Sequence, residues 1–174
     1  MPARKYDRKI CLLGASDVGK TSLVRRFVEG IFEDGYLKTI GVKIDHKMVT
    51  VGDDRLNLVV WDIEGETEHQ SLRLRYLRGA AGYLFVADGT AAGTLQVVKQ
   101  MLAKVSDLTP GVPSMLLLNK ADLRANWVLD PSEIAALEGA GWAICRTSAL
   151  TGEGVEDAFL QLAAKVGPRP HPPE

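Results

Sequence analysis

Cysteine is scarce in this 174-residue sequence: Cys11 and Cys145 are the only two, far apart and each inside an apolar run. That excludes a disulfide framework, and both read as buried, reduced thiols of a cytoplasmic protein. An excess of either charge is also missing. Lys plus Arg number 21 and Asp plus Glu 22, for a net charge of -1, so nothing points to nucleic acid as a partner. No apolar stretch approaches the roughly 20 residues that span a bilayer. Met1-Pro-Ala-Arg-Lys5 is not a secretory leader. Pro2 stands where myristoylation needs glycine, and the last residues, Pro-Pro-Glu174, hold no cysteine, so no lipid anchor is expected in this chain. No cluster of His and Cys has metal-ligand spacing.

What is present is the composition of one soluble domain. Hydrophobic residues make up 46% and charged residues 25%, and a chain of this length buries about 70% of its unfolded surface on folding. Residues 1–7 read as an extension, 8–166 as the domain, and 167–174, with four of the eight prolines, as a flexible tail. Apolar runs predict strands at 9–13, 42–51, 55–63, 82–88, 114–118 and 142–145. Gly52-Asp53-Asp54 between the second and third is a hairpin signal. Helical patterns fall at 20–29, in part of 68–78, at 94–105, from Asp130-Pro131 onward, and at 155–166. Asp130 supplies an N-cap and Pro131 a first-turn proline. The alternation predicts an α/β fold: a six-stranded, mostly parallel sheet with one antiparallel strand and five main helices on its two faces.

Gly14-Ala-Ser-Asp17-Val18-Gly19-Lys20-Thr21 matches the pattern GxxxxGKT between a strand and a helix, the context a phosphate loop requires. Its glycines let successive amides turn inward on phosphates, and the helix start adds partial positive charge. Lys20 is placed to reach the β- and γ-phosphates, and the Thr21 hydroxyl to bind Mg²⁺. Asn119-Lys120-Ala121-Asp122 follows a later apolar strand, at the sheet end where open α/β folds bind ligands. A carboxylate at Asp122 accepts from both N1–H and the exocyclic amine of guanine, a pair that adenine lacks. Thr147-Ser148-Ala149, after the last strand, can offer a backbone amide to the guanine oxygen.

With these segments in place, the sequence resembles the Ras superfamily of small GTPases, its Rab branch most. Tyr36-Leu-Lys38-Thr39-Ile-Gly41-Val42 is similar to the first switch, Trp61-Asp62-Ile-Glu64-Gly65 to the start of the second, and Tyr76-Leu-Arg-Gly-Ala80 to the Rab run after it. Spacings agree: 42 residues from Lys20 to Asp62, 57 from Asp62 to Asn119 and 29 from Asn119 to Ser148. The resemblance implies a P-loop fold that binds GDP or GTP with Mg²⁺ and hydrolyses GTP. Its catalytic groups would be Lys20, Thr39, Gly65 and Glu66. Thr21, Thr39 and Asp62 would hold the metal. Gly14, Asp17, Val18, Gly19, Ser22, Phe32, Asn119, Lys120, Asp122, Ser148, Ala149 and Leu150 would surround the nucleotide, Phe32 and Lys120 on opposite faces of the base. Loops around 33–42 and 62–78 would relax when the γ-phosphate is lost, and effector and regulatory proteins would read them. The protein is expected to be a monomer. Rab proteins carry a prenylated tail, so the chain is either a soluble member or one trimmed of that tail.

Three carboxylates depart from the pattern. Glu64 stands where the family has a small residue, Glu66 where it has the glutamine that orients the attacking water, and Asp17 where it favours small side chains. Two unit charges about 6 Å apart interact by roughly 3 kcal/mol at an effective dielectric near 20. Weak nucleotide retention and strong Mg²⁺ dependence follow if they face the phosphates; for Glu64 and Asp17 the bland alternative is solvent. Glu66 also leaves open an interaction module that binds nucleotide and hydrolyses little. A P-loop kinase is disfavoured by the guanine segment. The first switch has Lys38 but no arginine, so an arginine for catalysis would come from a partner. Arg73, Arg75 and Arg78 read as a solvated face or an acidic-partner site. Ile44, Trp61 and Tyr76 fall where Rab proteins read the switch state. His69 reads as solvent-exposed, and Trp127, in a polar connection, as a small contact patch or plain surface.

Overall fold

The computed structural model describes residues 5–33, 39–65 and 73–167. The apolar run Ile10–Leu13 is fully buried, which suits a strand paired on both edges. It lies in β1 (Lys5–Gly14), parallel to β3 (Asp54–Ile63) on one side and to β4 (Gly82–Asp88) on the other. β2 (Val42–Val51) turns through Gly52, whose φ of 60° suits glycine, and runs back antiparallel to β3. β5 (Ser114–Asn119) and β6 (Ile144–Arg146) continue the parallel side, and the order across the sheet is β2-β3-β1-β4-β5-β6.

Alternate residues of the central strands feed two cores. On one face Ile10, Leu12, Leu84, Val86 and Leu117 pack with Leu23 and Phe27 of α1 (Lys20–Glu29) and with Ala158, Phe159 and Leu162 of α4 (Val155–Val166). Phe27 and Phe159 stack at 4.1 Å between centroids, so truncating Phe159 to alanine should cost about 3–5 kcal/mol. On the other face Leu13, Phe85 and Leu118 meet Leu95, Val98 and Met101 of α2 (Gly93–Leu108) and Ile134 of α3 (Pro131–Gly139). The Asp130 carboxylate accepts from the Ser132 amide at 2.9 Å and caps α3.

The mixed six-stranded sheet is as expected; several details differ. Residues 5–7, expected as an extension, lie in β1 and pair with β3 from Lys5 opposite Arg55. The last strand is Ile144–Arg146, because the Trp142 amide instead closes the end of α3 on Leu137 and its ring packs edge-on to Phe85. As this strand is a short edge, Cys145 is half-buried, whereas Cys11 is buried; both are free thiols. Four α-helices are present among the described residues. The helix expected within 68–78 appears there as one 3-10 turn, Leu74–Leu77, and residues 68–72 lie outside the described set. A second 3-10 segment, Ala121–Asn126, follows β5 and was not foreseen. Gly167 caps α4 through its amide on Ala163, and 168–174 lie outside the described residues.

Candidate functional site

The carboxyl ends of β1, β4 and β5 open into one cleft. β1 stops at Gly14, and the chain turns through Asp17 (φ 66°) and Gly19 (φ 97°) before α1 begins at Lys20. Gly19 is required twice: its backbone is left-handed, and a Cβ there would sit 2.4 Å from the Asn119 amide nitrogen. No side chain caps the first turn of α1, so its amides face the cleft as anion donors. Lys20 is only 6% exposed, and its ammonium donates to the carbonyls of Ala15 (2.8 Å) and Gly14 (3.3 Å). Burial pulls it down to about 8, against Asp62 and then Asp17, which raise it. A buried cation with no anion in direct contact among the described residues suits a phosphate.

Three hard oxygens converge beside it. The Thr21 hydroxyl donates to Asp62 Oδ2 at 2.6 Å and lies 2.7 Å from the Thr39 hydroxyl, which is 3.4 Å from the same carboxylate oxygen. Asp62 is buried, and burial raises its carboxyl, opposed first by the Thr21 hydrogen bond. Its Oδ1 has no hydrogen-bond partner. A buried carboxylate with one oxygen shared by two hydroxyls and the other left orphaned fits Mg²⁺. No group of three His, Cys, Asp or Glu side chains suited to a metal occurs among the described residues, so the fit is to an ion that completes its shell with phosphate and water.

The second loop closes over the first. A Cβ on Gly65 would meet the Ser16 amide nitrogen at 2.5 Å, so this residue lies directly on the phosphate loop. Glu64 is half-buried and bonded to Gly41 rather than turned to solvent. Its amide donates to Gly41 at 2.8 Å, and its carboxylate accepts the Gly41 amide at 3.1 Å. The side chain thereby ties the loop before β2 to the loop after β3 at the end of their ladder. Asp17 is exposed, yet its charge bears on Lys20. Glu66 and His69 lie outside the described residues, as do Tyr36 and Lys38.

A cavity of about 510 Å³ continues from the phosphate loop. Asp17, Gly19 and Ser22 form its phosphate end, and Phe32, Asn119, Lys120, Asp122, Ala149 and Leu150 the remainder. Ser148 is buried; its amide is taken by the Glu153 carbonyl at 2.9 Å, so it is the hydroxyl that reaches the site, donating to Asp122 Oδ1 at 2.7 Å. Asn119 braces the two ends: its amide donates to the Val18 carbonyl at 2.9 Å, and its oxygen accepts from Thr147 at 3.1 Å. Lys120 is left-handed (φ 68°); its ammonium pairs with Asp88 at 2.7 Å and reaches the Asp17 carbonyl at 3.4 Å. Arg26 donates to the carbonyls of Leu150 and Gly30, linking the chain on both sides of the cavity.

Sequence reasoning missed Asp88 and the roles of the Thr147 hydroxyl and of Trp127. Asp88 ends β4 on the ligand side of the sheet, a signal that was available. Trp127 carried none: it is half-buried rather than a surface patch, and its indole donates to the Lys120 carbonyl at 2.8 Å. Of the other residues singled out, Ile44 faces Trp61 across the β2–β3 pair, and Trp61 lies 6.4 Å from Tyr76 with the Lys9 ammonium 3.6 Å over its ring. Arg73, Arg75 and Arg78 are exposed.

A family model described as the Ras family matches residues 9–167. The chain is similar to Ras-related protein Rab-4A of Rattus norvegicus, 35% identical over 165 residues that cover 91% of this chain and 73% of that protein. Ras-related protein Rab-4 of Dictyostelium discoideum is 36% identical over 165 residues, 92% of this chain and 80% of that one. Ras-related protein Rab-4B of Homo sapiens is 35% identical over 174 residues, 94% and 79% respectively.

Proposed function

The chain belongs to the Ras family of small GTPases, in its Rab branch, and from that premise we propose that it is a guanine-nucleotide switch. It binds GDP and GTP with Mg²⁺, hydrolyses GTP slowly, and signals to effector and regulatory proteins through the loops around 33–42 and 62–78. The observation that carries this reading is the Asn119 amide on the Val18 carbonyl. It joins a phosphate loop and a guanine-type carboxylate, Asp122, into one cleft.

Each end of the cleft has its task. Amides from Gly14 through Ser22 receive the phosphates, and Lys20 sets its ammonium against the β- and γ-groups. Thr21, Thr39 and Asp62 are the residues that would hold Mg²⁺, which when bound neutralises charge on the β- and γ-phosphates. Asp122 accepts N1–H and the exocyclic amine, and the Ser148 hydroxyl keeps one carboxylate oxygen aligned. The Ala149 amide donates to the guanine oxygen, the Ser148 amide being held by the Glu153 carbonyl, while Phe32, Lys120 and Leu150 cover the base. In hydrolysis a water attacks the γ-phosphorus in line as the bond to the bridging oxygen breaks. GDP leaves with the electron pair, and the water's proton ends on inorganic phosphate. Thr39 and the Gly65 amide contact the γ-phosphate and lose that partner afterwards, which is the switch.

Glu66 favours a second reading, an interaction module with little hydrolysis, since a carboxylate accepts from the water but cannot donate to the phosphate. Single-turnover hydrolysis separates them. Wild-type protein and Glu66→Gln are loaded with GTP and Mg²⁺, retention is verified, and GDP is followed by chromatography. Steady GDP formation by the wild type supports the switch. GTP that stays intact in the wild type but is consumed by Glu66→Gln supports the module. A protein that retains no guanine nucleotide overturns both.

A further inference from the structure

Lys120 holds an unfavourable backbone. A residue with a side chain seldom sits at φ 68°, ψ 41° without surroundings that impose it. Here its carbonyl accepts twice, from the Leu123 amide within the following 3-10 turn at 2.9 Å and from the Trp127 indole at 2.8 Å. The first bond is local to the turn. The second comes from beyond it and fixes the turn against the sheet.

The indole has a slot made for it. Gly89 is buried just past the end of β4, and a Cβ there would fall 2.1–2.4 Å from three ring atoms of Trp127. Its φ is not positive, so glycine is needed for space and not for backbone freedom. The same residue donates its amide to the Asn119 carbonyl at 3.1 Å and accepts the Val128 amide at 2.9 Å. Gly89 therefore connects both ends of a closed circuit: Asn119, Lys120, the indole and the chain around Trp127. Trp127 does not line the nucleotide cavity.

We infer that Trp127, seated on Gly89, is a positioning residue for base recognition: its indole N–H sets the left-handed Lys120 and so aims the following Asp122 at the base. The inference rests on the guanine-nucleotide reading and deepens it. Without that donor the Lys120–Ala121 peptide keeps only the Leu123 amide on its carbonyl and its own amide on the Thr147 carbonyl, and the carboxylate's alignment loosens, while the phosphate loop keeps its own contacts.

The test compares GDP with IDP, which lacks the exocyclic amine that Asp122 would accept from. Dissociation constants are measured for the wild type, Trp127→Phe, Gly89→Ala and the double variant, with thermal unfolding alongside. Trp127→Phe keeps an aromatic ring on Gly89 and removes the N–H. GDP affinity should fall about three- to tenfold, the range that one hydrogen bond commands, and IDP affinity less, so that the preference for GDP narrows. Gly89→Ala should do the same by unseating an intact indole, and the double variant should lose little more than the worse single variant. Equal losses for both nucleotides, or an unchanged preference, overturn the inference and leave Trp127 a packing residue. If Trp127→Phe does not fold, Gly89→Ala decides alone. If the wild type binds no GDP, the nucleotide reading falls first, an outcome distinct from an unchanged variant.

Discussion

The two ends of the cleft are built differently. At the base end, residues from β4, β5, the β6–α4 connection and the phosphate loop are bound to one another. Asn119 holds Val18, Thr147 holds Asn119, Asp88 and Trp127 hold Lys120, and Ser148 holds Asp122. None of these bonds needs a ligand to complete it. At the γ-phosphate end the ties converge on atoms that a ligand would claim. Thr21 and Thr39 share Asp62 Oδ2, Asp62 Oδ1 is left without a partner, and Lys20 makes do with two carbonyls. On the proposed reading, one end is set before a nucleotide arrives and suits recognition of the base, and the other is completed by what it binds and suits reporting the nucleotide's state.

Lys20 sits at the junction, and its titration gives the largest expected effect. Its folded value of about 8 lies below the ordinary 10.5, so between pH 8 and 10.5 the unfolded chain binds more protons and stability must rise with pH. The span corresponds to about 3 kcal/mol. Cys11, pushed up to about 12 from 9, acts in the opposite sense above pH 9. The readout is therefore the difference between the wild type and Lys20→Met, unfolded by urea in chelator without nucleotide. That difference should grow in favour of the wild type from pH 8 to 10.5. A flat difference would mean that the site is already satisfied when empty, and the contrast between the two ends would fail.

At the base end, Asp122→Asn exchanges one acceptor oxygen for a donor while leaving an acceptor for Ser148. Two hydrogen bonds to a charged group are disturbed, so GDP affinity should drop about 100-fold. Xanthosine diphosphate, with a carbonyl in place of the amine, should bind better than it does to the wild type. Competition binding with both nucleotides reads this directly. Asp17→Gly should act through the phosphates instead. It removes a carboxylate that bears on Lys20 and a side chain from a left-handed position, so GDP and IDP release should both slow, about tenfold. An effect on one base alone would place Asp17 with the base end.

How much of this was legible depended on how far apart the partners lie in the chain. The phosphate loop and its helix are contiguous, and the strands announce themselves as apolar runs, so both were readable from residue order. Asp62, Asn119 and Ser148 were found through spacing and resemblance. Asp88–Lys120 and Gly89–Trp127 join residues more than 30 positions apart, and nothing in residue order pairs them. The short β6 and half-buried Cys145 escaped because an apolar run cannot reveal that its strand is a sheet edge. Glu64 was legible as an anomaly but not in its role, since the Gly41 amide it meets comes from the far side of the β2–β3 hairpin.

Glu64 also supplies the finest test of the contrast, because among the described residues it ties the two loops at the γ-phosphate end to each other without a ligand. A regular ladder would give the Gly41 amide to a backbone carbonyl; here the carboxylate takes it, and Thr39 and Gly65 each stand within two residues of the pair. Glu64→Ala should free Gly41 and raise the dissociation rate of a non-hydrolysable GTP analogue about three- to fivefold, with GDP release nearly unchanged. Glu64→Gln keeps an acceptor and removes the charge, so it should behave as the wild type. If Gln and Ala instead both slow release, the carboxylate acts by repelling phosphate, and its bond to Gly41 is incidental. If Ala alters GDP and the analogue alike, the tie belongs to the scaffold, and the γ-phosphate end is less dependent on its ligand than its geometry implies.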